Sequence, residues 1–185
     1  MISGLYTYLF YIVLTVMLIM TAVILLRRLK ARDNPALPAK SIKYGSVSVF
    51  FHRNGDITVI PYVKDKYGAG RAADFIQKLK SPFKHADLGR VVRECMGKCE
   101  NAVPCDNARL MAILGTRDWS SFSEGKRNIS VHYIEGQGIV FNTTRRRTDG
   151  GYQFNTSGFD RVIADDTGDD ELGKMLFTLL PRCRC

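Results

Sequence analysis

The first 26 residues, Met1 to Leu26, contain no Asp, Glu, Lys, Arg or His, and they end in the basic run RRLKAR. A helix lying on a globular core would show a polar stripe at helical period, and none is visible here. Roughly 20 apolar residues span a bilayer, so this stretch is long enough to cross one. Tyr6, Tyr8, Phe10 and Tyr11 crowd its first half, as in an interfacial aromatic belt. A cleaved export signal fits poorly, because no positive region precedes the apolar run and no A-x-A site follows it. The expectation is one transmembrane helix with a basic stop, residues 1–29. Its orientation follows from Arg27, Arg28, Lys30 and Arg32, which the positive-inside rule places in the cytoplasm, leaving the N-terminus outside.

Two prolines and several small residues make residues 30–40 a short linker. Residues 41–185 then form one domain of ordinary size, able to bury a core. The net charge is +9. About half of it belongs to the juxtamembrane stretch and linker, which leaves the domain only mildly basic and without a nucleic-acid signature. Five cysteines, Cys95, Cys99, Cys105, Cys183 and Cys185, are an odd number. In a cytoplasmic domain that argues for reduced thiols.

Within the domain, SVSVFFHRNGDITVIPYV (residues 46–63) reads as a hairpin, with Asn54-Gly55 as a type I′ turn. Pro61 suggests that the second arm stops there or lies at an edge. Three helices follow by apolar period: residues 69–79, with Ala72, Phe75, Ile76 and Leu79 on one face; residues 85–99; and residues 105–114. The last has Asp106 as N-cap and Gly115 as its stop. Period-two patterning then marks strands at 128–134, 137–143, 152–156 and 159–164, and an acid-led amphipathic helix closes the chain at 169–180. The predicted architecture is α+β: a single cytoplasmic domain with a mostly antiparallel sheet and three to four helices, preceded by the transmembrane helix. Two stretches echo each other, DLGRVV from Asp87 and ELGKML from Glu171. A helical glycine costs about 1 kcal/mol relative to alanine, so both predict close packing.

Little of this is catalytic. His52, His85 and His132 stand isolated, with no nucleophile or orienting carboxylate at motif spacing. The Cys95-x3-Cys99-x5-Cys105 series matches structural zinc spacing only loosely. No cofactor is implied. Arg145, Arg146 and Arg147 form a basic hairpin loop able to meet phosphates. Asp160, Asp165, Asp166, Asp169, Asp170 and Glu171 concentrate six acids near the last helix. Acids favour helix N-termini through the macrodipole, which accounts for Asp169 to Glu171 better than for Asp165-Asp166.

The segment ARLMAILGTRDWSSFSEGKRNISVHY, with its W-x-x-F step at Trp119 and Phe122, precedes a strand series and DDELGKMLFTLL. This order resembles the CdiI-type immunity proteins of bacterial contact-dependent growth inhibition, over about two-thirds of the domain. The resemblance implies a non-enzymatic protein that binds and neutralises one cognate toxin C-terminal domain, commonly a nuclease with a basic active site. Asp165, Asp166, Asp169, Asp170 and Glu171 are then the expected contacts, and Trp119 and Phe122 are expected in the core. Together with the apolar start, it predicts a single-pass protein of the bacterial inner membrane, with the membrane and the toxin domain as partners and no nucleic acid. The alternative is a membrane-tethered binding module for an anionic ligand, nucleic acid or lipid, using Arg145–Arg147. A third possibility is a tethered enzyme with a dispersed or cysteine-based metal site.

Overall fold

The computed structural model describes Met20, residues 45–65 and residues 67–185. The chain divides into two units, Met1–Lys40 and Ser41–Cys185, and the elements below belong to the second. Eight strands form one antiparallel sheet: β1 (Ser46–Phe51), β2 (Ile57–Lys64), β3 (Gly70–Ala72), β4 (Gln77–Leu79), β5 (Arg127–Ile134), β6 (Gly138–Arg146), β7 (Tyr152–Phe154) and β8 (Arg161–Ile163). The helices are α1 (His85–Lys98), α2 (Asn107–Leu114), the short α3 (Trp119–Ser123) and α4 (Asp169–Leu179).

Four long strands make the centre, in the order β2-β1-β5-β6, and each edge is shared by two short strands. On one side β3 pairs with Tyr62–Lys64 and β4 with Ile57–Val59; on the other, β7 pairs with Thr144–Arg146 and β8 with Ile139–Phe141. The central join, β1 to β5, sets Val47 against Val131 and Val49 against Ile129.

Strand alternation sends side chains to two cores. Val47, Val49, Ile57, Val59, Ile129, Val131, Ile139 and Phe141 point to one face, where α1 and α4 cover them with Leu88, Val92, Leu172 and Leu176. Phe50 and Ile60 point to the other, against Ala72, Leu110, Leu114 and Phe122. Trp119 and Phe122 belong to this second core, as expected. Phe50 meets both rings edge-on at 5.7 and 5.1 Å, and Trp119 Nε1 donates to the Gly150 carbonyl at 3.1 Å.

Several expectations need correction. Residues 69–79 form β3 and β4 in place of a helix. Ala72 and Ile76 pack into the second core and Phe75 and Leu79 into the first, so a segment wrapping both faces of a sheet edge imitates helical period. The unpaired edge of β2 supplies the hydrogen bonds that decide for strand. The hairpin turn is longer than type I′, which needs positive φ at both central residues. Only Gly55 has it, at 88°. The turn closes through Gly55 N–H to the His52 carbonyl at 3.1 Å and His52 N–H to the Asp56 carbonyl at 2.9 Å, which is a turn followed by a glycine bulge.

Pro61 lies inside β2 without ending it. Its carbonyl accepts from Ala73 N–H at 2.9 Å, so its donor-less nitrogen faces the break between β3 and β4, where the ladder is already interrupted.

The transmembrane helix is also corrected: among the described residues no helix is long and apolar enough to cross a membrane. The longest, α1, has 14 residues and spans about 21 Å at 1.5 Å per residue, short of the ~30 Å hydrocarbon core. Apart from Met20, residues 1–29 with Arg27, Arg28, Lys30 and Arg32 lie outside the described residues. The inner-membrane, single-pass location therefore has no described helix to carry it.

Candidate partner-binding face

The acidic stretch lies where α4 begins, and the packing of α4 against α1 fixes its position. The two helices run antiparallel and meet through their glycines. A Cβ on Gly89 would lie 1.8 Å from the Asp169 carbonyl oxygen, and one on Gly173 would lie 2.0 Å from that of His85. Each glycine sits four residues into its helix and receives the first residue of the other. The echoed DLG and ELG motifs are thus the two halves of one close crossing.

One turn beyond Gly89, Arg93 reaches from α1 to the loop ahead of α4. Its Nε donates to Asp169 Oδ1 at 2.9 Å and its Nη1 to the Asp165 carbonyl at 2.9 Å. Its Nη2 donates to the Thr167 carbonyl. A planar fork of donors suits such convergent acceptors, which an ammonium could not match. Tyr133 of β5 adds a hydroxyl donated to Asp165 Oδ2 at 3.3 Å. At the other end of the sheet-to-helix connection, Gly138 lies against the Ile163 carbonyl, which a Cβ would approach to 2.2 Å.

The five expected acids therefore differ in role. Asp169 is half-buried and committed to Arg93. Asp165 is exposed but anchored at its backbone and side chain. Asp170 pairs with Lys174 at 2.7 Å. That hydrogen bond and charge hold the Asp170 carboxyl below its ordinary range and raise the Lys174 ammonium above its own. Asp166 and Glu171 are exposed and form no ion pair among the described residues. Asp160 has turned inward, where Oδ2 accepts from Thr143 N–H at 2.6 Å and Thr143 Oγ1 at 2.9 Å. The result is a patch of negative charge on a basic chain, with its backbone restrained by Arg93.

The arginine loop is largely occupied within the fold. Arg146 donates from Nε to Ser123 Oγ at 3.0 Å and from Nη2 to the Ser120 carbonyl at 3.3 Å, which ties β6 to α3. Arg147 pairs with Asp149 at 2.8 Å, and Arg145 donates to Gln153 Oε1 at 3.3 Å. Only the Arg147 charge meets a carboxylate; Arg145 and Arg146 are held by neutral acceptors.

The thiols are placed for packing. Cys95, Cys99 and Cys183 are buried, and among the described residues no three potential ligands come together as a metal site. Burial pushes Cys95 up to about 12 and Cys99 and Cys183 up to about 11, so all three are neutral thiols. Cys99 donates to the Cys95 carbonyl at 3.2 Å and Cys183 to the Asn128 carbonyl at 3.2 Å.

Arg93 and Tyr133 are the residues that sequence reasoning missed. Arg93 stands in an ordinary helical RVVREC run, and its partners are 72 to 76 residues away. Only the glycine echo hinted that α1 and α4 meet.

No family model and no curated protein matches the chain. Solved structures do. A protein of unknown function from Neisseria meningitidis aligns with a TM-score of 0.59 at 11% identity, covering 76% of this chain and 95% of that one. A chain of the CdiA-CT/CdiI toxin and immunity complex from Yersinia pseudotuberculosis aligns with a TM-score of 0.56 at 14% identity, covering 75% of this chain and 97% of that one. This protein shares their fold.

Proposed function

We propose that the chain is an immunity protein, which binds the C-terminal domain of a contact-dependent inhibition toxin and neutralises it stoichiometrically, without catalysis of its own. The observation that carries this reading is the acidic patch at the start of α4, on a fold shared with a chain of a toxin and immunity complex. A restrained surface loses little entropy on binding. A patch of one sign speeds association with a partner of the other. Asp165, Asp166 and Glu171 supply the charge that the partner meets, beside Asp170, whose carboxylate is shared with Lys174. Asp169 and Arg93 hold the patch in shape. A nuclease with a basic active site is the toxin chemistry that best complements it.

The test is calorimetric titration of the full chain against the toxin domain encoded beside it. One-to-one binding, weakened at least tenfold (about 1.4 kcal/mol) when Asp165, Asp166, Asp170 and Glu171 are changed together to Asn and Gln, supports the reading. Absence of heat at micromolar concentrations removes it. Unchanged affinity in the variant keeps immunity and moves the interface elsewhere.

A further inference from the structure

A second charged feature lies far from the acids in sequence and has no part in the reading above. Between the β1–β2 turn, β4 and the α2–α3 connection is a cavity of about 310 Å³, near the lower end of the range for small-ligand sites. His52 and Lys126 line it on one side, Lys78 and Lys80 on another, and Thr116 and Ser121 bring hydroxyls. Its floor is apolar, formed in part by Leu114 and Phe122.

The charges here are unbalanced. Lys78, Lys80 and Lys126 are three ammoniums, and none forms an ion pair among the described residues. The carboxylate in the lining is Asp56, and it is already engaged by Asn54 Nδ2 at 2.9 Å and Ser81 N–H at 3.0 Å. Two of the ammoniums, those of Lys78 and Lys126, are held in place without being neutralised. Lys78 Nζ donates to the Ile113 carbonyl at 2.9 Å. Lys126 Nζ donates to the Phe122 carbonyl and stands 4.5 Å from the centre of the Phe122 ring. Each ammonium has three donors, so each retains donors for a ligand. His52 Nε2 is shared with Thr58 Oγ1 at 2.9 Å.

Within the lining, three cations stand against one carboxylate, an excess of two positive charges that Glu124, which acts on Lys126 from outside the lining, offsets in part. That excess matches a phosphate monoester, which carries about −1.5 to −2 near neutral pH. A carboxylate would satisfy half of it. The apolar floor suits a small organic body.

We propose that this cavity binds a phosphate dianion, free or as a small phosphomonoester, with Lys78, Lys80 and Lys126 answering its charge and Ser121 donating its hydroxyl to an oxygen, while the Thr116 hydroxyl stays donated to the Asp118 carbonyl at 3.3 Å. Burial, and next the charge of Lys126, holds the His52 ring below the ordinary histidine range, so the ring is a neutral reporter at the cavity wall.

The experiment follows the ring resonances of His52, His85 and His132 by NMR in the full chain, at about pH 7.5 and constant ionic strength, during titration with inorganic phosphate and then glycerol phosphate. His52→Gln assigns the reporter. A saturable shift of His52 alone, complete by about 10 mM, is the expected result. Lys126→Met and the exposed Lys80→Ala should each weaken it about tenfold; the second keeps the test valid if the first fails to fold. A shift that follows ionic strength without saturating, or is equal in both lysine variants and wild type, overturns the proposal. So does tighter binding of a single-stranded oligonucleotide lacking terminal phosphates, which would make the cavity part of a phosphodiester track. Toxin binding enters none of these readouts, so the cavity and the acidic patch stand or fall separately.

Discussion

Gly89 of α1 lies against Asp169, the first residue of α4, so closely that a side chain on Gly89 would meet the Asp169 carbonyl oxygen at 1.8 Å. The contact joins the centre of the helix layer to the edge of the acidic patch. Packing and patch are therefore one structural problem.

Replacing either glycine of the crossing should show this. Gly89→Ala and Gly173→Ala each gain about 1 kcal/mol of helix propensity, but each forces a backbone displacement costing about 3 kcal/mol or more. The net is a loss of at least about 2 kcal/mol in urea unfolding. Gly97, also in α1, has open space around it, so Gly97→Ala should stabilise by about 0.5 kcal/mol. Equal effects at Gly89 and Gly97 would refute the crossing.

Arg93 should matter to local order more than to global stability. Its side chain is 37% exposed, so the ion pair with Asp169 contributes little, and the two bonds to backbone carbonyls carry most of its effect. Arg93→Met should cost about 1–2 kcal/mol and remove hydrogen-exchange protection between residues 164 and 168. Arg93→Lys should recover only part of it, because an ammonium lacks the fork. Full rescue by lysine would reduce Arg93 to a simple charge.

On the proposed reading, the exposed carboxylates act on the rate of association. Asp166→Lys with Glu171→Lys should leave unfolding within about 0.5 kcal/mol of wild type and slow toxin association about tenfold at low salt, less at high salt. Stopped-flow association across a salt series measures both. A change confined to dissociation would place these two residues inside the contact.

Acid should destabilise the fold before carboxylates protonate. Burial lowers His52 and His132 below the histidine value of 6.5, and among the described residues His132 Nδ1 finds no hydrogen-bond partner. A base whose folded pKa is depressed binds fewer protons than in the unfolded chain, so stability is full above about pH 6.5. It falls as pH drops through that value, and levels off below the folded pKa. Urea midpoints between about pH 7.5 and 5 should show this slope, reduced in His132→Gln. A flat profile over that range would contradict the burial of both rings.

Thiol chemistry should sort by position. Cys185 is exposed and Cys105 half-buried, whereas Cys95, Cys99 and Cys183 are buried and neutral. An aromatic disulfide reagent should label Cys185 fast and Cys105 more slowly, leaving three thiols that react only on unfolding.

Much of the secondary structure was legible because its signals are local. Asp106 accepts from Arg109 N–H at 2.7 Å and Gly115 closes the same helix at φ 70°, as the cap residues foretold. Two of the failures share one cause, that the deciding partner lies elsewhere in the chain. Residues 69–79 became strands because β2 had an edge to fill. Pro61 continued a strand because β3 and β4 part beside it. At the candidate site the acids could be read from composition, but their division into anchored and exposed members could not. That division depends on Arg93 and Tyr133, brought in from α1 and β5.

The long reach of Arg93 has a consequence for timing. Asp169 lies 76 residues after Arg93, and Asn128 of β5 donates across the sheet to Val49, 79 residues before it. Pairings of such separation close late and slowly. On a chain emerging from the ribosome, α1 waits uncovered until α4 follows, and the carboxylates stay a loose string of charges until then. On the proposed reading, a nascent or truncated copy would thus offer a toxin no shaped surface, and competence to bind would arrive together with completion of the fold.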